Sequence, residues 1–178
     1  PGVSLKSEGI SYIAGSDLPC VIINVQRGGP GLGGIQPAQS DYWQATKGGG
    51  HGDYHLMVFA PSTVQEMVDL VSDAFDLGDK YRMPAMILAD GMLGQMMEPV
   101  ALPESKGKAL PEKEWAACGH QNKREHHIIN SLYLQPQKLE EKIRERYERY
   151  HIVEENAPRA ECYRTEDAEL GLVASGAS

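Results

Sequence analysis

Apolar positions fall into short runs bounded by glycine- and proline-bearing loops, with stretches of helical spacing between them. Cys20 to Val25, Leu56 to Ala60 and Pro84 to Ala89 read as strands of continuous apolar character, the pattern of a parallel sheet covered on both faces. Val3 to Ala14 reads as a helix with Leu5, Gly9 or Ile10, and Ile13 on one side; Gly15-Ser16-Asp17 closes it and Pro19 stops it. Pro37 to Ala45 predicts a short helix opened by proline. Val64, Met67, Val68, Val71, Ala74 and Phe75 predict a longer one, started by a Ser62/Gln65 capping box and fading near Gly78. Strands alternating with helices predict an α/β fold, a parallel sheet with helices on both faces.

The character of the chain changes after Val100. Residues 101–125 are rich in Lys, Glu, Pro and Gly and read as a polar linker. Pro136 to Tyr150 predicts a charged surface helix with a thin stripe of Leu139, Ile143 and Tyr147, its flank held by ion pairs three and four residues apart. Leu170-Gly171-Leu172-Val173-Ala174 reads as the first buried strand of a second, truncated domain. No internal repeat is visible.

With 17 basic against 25 acidic residues, a net charge of −8 and a pI near 5.2, the chain lacks the basic face that nucleic acid requires. No apolar run approaches the ~20 residues that span a bilayer, so neither nucleic acid nor membrane is an expected partner. Cys20, Cys118 and Cys162 are far apart. That spacing excludes an iron–sulfur cluster ligated by this chain alone, disfavours a disulfide framework and fits a cytoplasmic protein. No secretory signal is read in these residues, and a start at Pro1 rather than Met leads to the expectation that the true N-terminus lies upstream.

The chemistry-bearing stretch is Asn24-Val25-Gln26-Arg27-Gly28-Gly29-Pro30-Gly31-Leu32-Gly33-Gly34, running straight off the first strand. An arginine and glycines at the carboxyl end of a parallel strand deliver a cation to the place where open α/β sheets bind ligands. Arg27 has two readings: a surface cation paired with Asp41 or Asp53, or a fork holding a carboxylate in two parallel hydrogen bonds. The run satisfies G-x-G-x-x-G, the spacing of a dinucleotide site. Against that stand Pro30 within the turn, Pro37 in the following helix and no acidic residue ending the next strand. A Walker phosphate loop is excluded, because no Gly-Lys-Ser or Gly-Lys-Thr follows.

Lys47-Gly48-Gly49-Gly50-His51-Gly52-Asp53 forms a second glycine loop. His51 and His55 have metal-pair spacing only on a helix, which three glycines oppose, so no metal site is expected. The methionines from Met83 to Met97 read as core filler. No nucleophile elbow or carboxylate pair stands out.

Four segments together resemble one family: Pro1 to Tyr12, Asn24 to Gly31, Asp41-Tyr42-Trp43-Gln44-Ala45 and Leu88-Ala89-Asp90-Gly91. It is the α subunit of 2-oxoacid:ferredoxin oxidoreductases. Thr46 to Tyr54 is most similar to the 2-oxoisovalerate type, with the 2-oxoglutarate type a near relative.

The resemblance implies a pyrimidine-type thiamine-diphosphate-binding domain over residues 1–105, truncated at both ends of the chain. It implies a polar linker with a charged helix over 106–166 and the first strand of a transketolase C-terminal-like domain over 167–178. The implied activity is oxidative decarboxylation of a 2-oxoacid to an acyl-CoA with ferredoxin as acceptor. Thiamine diphosphate would be shared with a β subunit, CoA would be co-substrate, and Mg²⁺ and iron–sulfur clusters would sit in partner subunits. Arg27 matches the family arginine implied to bind the 2-oxoacid carboxylate, with Gly28, Gly29 and Gly31 shaping the loop and Lys47 and His51 lining the same cleft.

The family's Tyr-Pro-Ile-Thr-Pro segment and cofactor-activating glutamate are expected upstream of Pro1, so this chain alone is expected to show no turnover. The substrate expected is 2-oxoisovalerate, with 2-oxoglutarate or pyruvate as alternatives. The other readings are a free-standing dinucleotide-binding domain and a noncatalytic fragment that docks a partner through its 136–150 helix.

Overall fold

The computed structural model describes residues 2–104 and 112–177; Pro1, part of the expected linker and Ser178 lie outside the described residues. The elements run α1 (Gly2–Gly15), β1 (Cys20–Gln26), α2 (Tyr42–Thr46), β2 (Met57–Phe59), α3 (Val64–Tyr81), β3 (Pro84–Asp90) and α4 (Pro136–Asn156). β3 is central in the order β1–β3–β2, and both pairings are parallel. In register, Cys20 lies opposite Pro84, Gln26 opposite Asp90, and Phe59 opposite Ile87.

Helices cover both faces. Ile10 and Ala14 of α1 pack with Tyr54 and Ile22, while Ala45 of α2 meets Met86 and Leu88. On the other face Ala74 and Tyr81 of α3 and Tyr150 of α4 pack with Phe59, Ala85 and Ile87.

Packing shifts several expected positions. Leu5 is 82% exposed because Ile10 and Ala14 are the positions facing the sheet; Leu5 lies about 140° around the helix from Ile10. Phe75 of α3 is likewise exposed. α3 passes through Gly78 to Tyr81, and a Cβ at Gly78 would crowd the Met83 carbonyl oxygen at 3.3 Å. Its cap is Thr63, not Ser62: the Thr63 hydroxyl accepts from Glu66 N–H at 3.1 Å, and the Glu66 carboxylate accepts from Ser62 N–H at 2.7 Å. The helix expected from Pro37 begins only at Tyr42, because Pro37 is held in a bridge opposite Arg27.

β1 is not covered on both faces. It is an edge strand, with Ile23 and Val25 about half exposed at 54% and 50%, while Asn24 and Gln26 are buried on the opposite face. α4 runs to Asn156, and its second half joins the core through Tyr147, Tyr150 and Val153 instead of lying on the surface. Residues 170–174 form no strand; Leu170, Leu172 and Val173 are exposed. Among the described residues, no helix is long and apolar enough to cross a membrane.

α4 is locked to α1 by a buried charge cluster. Asp17, in the left-handed region at φ 53°, accepts from Arg146 Nε at 3.0 Å and also pairs with Arg149. Arg146 Nη2 donates to the carbonyl of Gly15, the end of α1. Burial pushes the Asp17 carboxyl pKa up, but the two guanidinium groups outweigh it and hold the pKa below its ordinary value.

Asn tolerates the same backbone, so Asp17→Asn isolates the charge. It leaves the buried Arg146 guanidinium without its anion, and stability should fall by about 3 kcal/mol or more in chemical denaturation. A depressed carboxyl pKa stabilises above the unfolded value of about 4 and loses that contribution as pH falls through the folded value. Thermal melts of the wild type should therefore drop on acidification below about pH 4, and Asp17→Asn should flatten that acid limb.

Candidate functional site

β1 ends at Gln26, and Arg27 opens a loop that returns to the sheet at Asp41. Two contacts zip the loop's base. Arg27 bridges Pro37, and the N–H of Gly28 donates to the Gln36 carbonyl at 2.9 Å. The half-buried Arg27 side chain folds back over its own loop. Its Nη1 donates to the carbonyls of Gly28 at 2.9 Å and Gly34 at 3.2 Å, and Nη2 donates to Gly31 at 3.4 Å.

Those bonds use both N–H groups of Nη1 and one of Nη2. Among the described residues Nε–H has no protein partner and Nη2 makes one long bond, so the Nε/Nη2 edge is the side of the guanidinium left to meet a carboxylate side-on. Among the described residues no carboxylate pairs with Arg27, so the expected partners Asp41 and Asp53 leave its charge uncompensated. The loop carbonyls orient the guanidinium without cancelling its charge.

The glycines divide by what a Cβ would meet. At Gly33 (φ 51°) it would lie 2.0 Å from the Gly28 carbonyl oxygen and 2.5 Å from Arg27 Nη1, so Gly33 is the residue that gives the guanidinium its seat. Gly31 requires glycine for its φ of 64°. Gly28 and Gly29 have room for a side chain, with the nearest atom to Gly28 at 3.8 Å and none within 4 Å of Gly29. The spacing of the run concealed Gly33, whose role appears only once the arginine is folded over it.

An open cleft of about 1390 Å³ runs along the β1 edge and up to this loop. Arg27, Gly29, Gly31, Ser40, Asp41 and Gly91 line its polar end, and Val3, Ile10 and Ile13 of α1 with the β1 side chains form an aliphatic wall. Lys47 and His51 do not line it. Lys47 sits over the Trp43 ring at 5.8 Å, and His51 is exposed beyond the turn at Gly48–Gly50. His55 is separated from it in role, packing edge-on against Tyr147 and Tyr150.

Beneath the loop lies a polar network that the sequence reading missed. Asn24 Nδ2 donates to Asp41 Oδ2 at 3.1 Å, and the Asp41 N–H donates to Gln26 Oε1 at 2.9 Å. Asp90, at the end of β3, accepts from the N–H groups of Met92 and Leu93 and from Gln39 Nε2. Burial raises the Asp90 carboxyl pKa, yet these donors outweigh it and hold it below its ordinary value. The signal in the sequence was two amides at alternate positions of an otherwise apolar strand, which places both on one face.

The G-x-G-x-x-G run opens no helix: the next one, α2, starts at Tyr42 and has five residues. A dinucleotide site needs a helix N-terminus directly after the glycines, so that reading lacks its anion-binding dipole. Residues 1–167 match the family "Pyruvate flavodoxin/ferredoxin oxidoreductase, thiamine diP-bdg". The chain belongs to this family.

Relatives agree. The ketoisovalerate oxidoreductase subunit VorB of Methanothermobacter marburgensis is 52% identical over all 178 residues, which cover 50% of that protein. The 2-oxoglutarate synthase subunit KorA of Methanothermobacter thermautotrophicus is 40% identical over 65% of this chain and 32% of its own. A solved structure, the 2-oxoglutarate:ferredoxin oxidoreductase from Magnetococcus marinus with 2-oxoglutarate, coenzyme A and succinyl-CoA bound, superposes with a TM-score of 0.67 at 25% identity. It covers 89% of this chain and 32% of that one. The chain spans about half the length of the curated ketoisovalerate relatives it matches.

Gly33→Ala should unseat Arg27 and destabilise the loop by more than about 1 kcal/mol. Gly28→Ala should stay within about 0.5 kcal/mol of wild type. Limited proteolysis across residues 28–36, alongside denaturation curves, separates the two.

Proposed function

We propose that this chain is part of the α subunit of a 2-oxoacid:ferredoxin oxidoreductase that converts a branched-chain 2-oxoacid, 2-oxoisovalerate, to its acyl-CoA. The observation that carries the reading is Arg27, an oriented guanidinium at the carboxyl end of β1 with its Nε/Nη2 edge left to meet a carboxylate. The higher identity to ketoisovalerate subunits over the whole chain, against partial coverage by 2-oxoglutarate subunits, supports the branched-chain substrate.

The residues present suit one part of the cofactor. The aliphatic β1 edge fits a flat heteroaromatic ring, whereas among the described residues no cluster of three or more acidic, His or Cys side chains is placed to hold a metal ion. On this reading the diphosphate and Mg²⁺ are held by the β subunit, and the iron–sulfur clusters, ferredoxin and CoA contacts belong to the wider cytoplasmic assembly. When bound, thiamine diphosphate supplies the electron sink for decarboxylation.

Arg27 binds the substrate carboxylate through Nε–H and Nη2–H and fixes the orientation of the bond that breaks. Its carbonyl-held Nη1 edge keeps the guanidinium from following the departing CO₂. Gly29 and Gly31 leave room for the substrate backbone to approach the loop. Lys47 and His51 are left outside this role.

By the same reading residues 1–105 form the pyrimidine-type domain. Residues 106–166 connect it onward while α4 returns to its core, and 167–178 begin a transketolase C-terminal-like domain.

The test is the full-length subunit with its β and cluster-bearing partners, assayed for ferredoxin or viologen reduction with 2-oxoisovalerate, 2-oxoglutarate and pyruvate. The expected outcome is preference for 2-oxoisovalerate. Arg27→Ala should lower kcat/KM on the order of 100-fold or more, the scale of removing one partner of a desolvated charged hydrogen bond, with thiamine diphosphate still bound. Equal rates with all three acids would defeat the substrate assignment, and an unimpaired Arg27→Ala enzyme would defeat the site.

A further inference from the structure

We infer that Asn24, Gln26 and Asp41 form a latch that sets the position of Arg27, which makes them positioning residues for 2-oxoacid binding; this rests on the role proposed above for Arg27. Asn24 and Gln26 are 8% and 4% exposed, in a strand whose other side chains are aliphatic apart from Cys20. A buried amide costs about 1–3 kcal/mol if left unpaired, and each of these two bonds to the same residue. Asn24 Nδ2 donates to the Asp41 carboxylate, and Gln26 Oε1 accepts from the Asp41 N–H.

Asp41 is also the N-cap of α2, yet its side chain makes no capping hydrogen bond. An aspartate at that position ordinarily accepts from the second or third N–H of its helix. Here the carboxylate is turned away from α2 and toward β1. That arrangement forgoes local helix stability and ties the far end of the loop to the strand from which the loop departs.

The tie reaches the guanidinium through covalent neighbours. Ser40, next to Asp41, donates its hydroxyl to the Arg27 carbonyl at 3.4 Å, and the bridge to Pro37 and the Gly28–Gln36 bond close the base. Arg27 Nη1 is seated between the Gly28 and Gly34 carbonyls, so whatever fixes the loop fixes the cation. None of the three latch residues needs to touch the carboxylate to affect its binding.

The experiment exchanges the two ends of the Asn24–Asp41 bond in the reconstituted holoenzyme. Asn24→Asp sets two carboxylates against each other. Asn24→Asp combined with Asp41→Asn restores one donor and one acceptor with the polarity reversed and the same total charge. Asn24→Ala is the milder loss, in case Asn24→Asp fails to fold. The expected result is a KM for the 2-oxoacid raised about tenfold in Asn24→Asp and Asn24→Ala. The KM for CoA should change little, and the double variant should recover most of the loss.

A purely structural role predicts something else: melting temperature falls with no change in the KM for the 2-oxoacid, or stability recovers in the double variant while KM does not. Either result overturns the latch. Arg27→Ala run in parallel separates the two levels. If it raises KM and the Asn24 variants do not, only the latch fails. If it changes nothing, the role of Arg27 fails and the latch with it.

Discussion

All seven residues of β3, Pro84 to Asp90, are buried: β1 pairs with the whole strand, β2 with Ala85 to Ile87, and helices cover both faces. That constraint organises the rest of the molecule. Even-numbered side chains, Met86 and Leu88, require α1 and α2 above them, and Ala85 and Ile87 require α3 and α4 below. Burying each large aliphatic side chain contributes ~1.5–3 kcal/mol. Parallel pairing then brings the ends of β1 and β3 to one rim, where Gln26 lies opposite Asp90 and the N–H of Gly91 donates to the Gln26 carbonyl at 3.2 Å.

At that rim the backbone runs out of sheet partners, and side chains take over. Asp90 collects the N–H groups of Met92 and Leu93, Gln26 and Asn24 collect Asp41, and Arg27 collects the carbonyls of its own loop. The polarity of each arrangement follows from what is left over: N–H groups attract carboxylates, and carbonyls attract a guanidinium. The consequence for function is an excess. Three carbonyls satisfy part of Arg27 but carry no full charge, so the site keeps an unneutralised cation facing a cleft. An Asp or Glu in place of those carbonyls would hold the arginine equally well and neutralise it.

The opposite end of the sheet uses charge for a different purpose. There Asp17 sits between Arg146 and Arg149, at the other end of β1 from Arg27, and the cluster ties the end of α1 to α4. The same residue types that leave an unneutralised cation at the rim make a structural clamp where both charges are present. α4 is thereby fastened at one end by ion pairs and along its second half by Tyr147, Tyr150 and Val153. The charged helix thus belongs to the sheet's own core.

The sequence by itself determined the fold class, the three strands, the approximate helices and the place of Arg27 at a strand end, since these rest on local periodicity and on glycine and proline chemistry. Family membership was legible for the same reason: the Arg-Gly-Gly-Pro and Asp-Tyr-Trp-Gln-Ala stretches are contiguous. Only the tertiary structure decided which positions face inward. The apolar run of β1 hid an edge strand with its amides buried and Ile23 and Val25 outward, and the stripe on α4 was displaced from Leu139 toward Tyr150. Tertiary structure likewise selected Gly33 over Gly28 and Gly29, and removed Lys47 and His51 from the cleft. The physical reason is common to all of these. Periodicity reports the conformation of a segment, but burial, register and the vacancy that a glycine must leave depend on what arrives from elsewhere in the chain, as Asp41 arrives at Asn24 and Arg27 at Gly33.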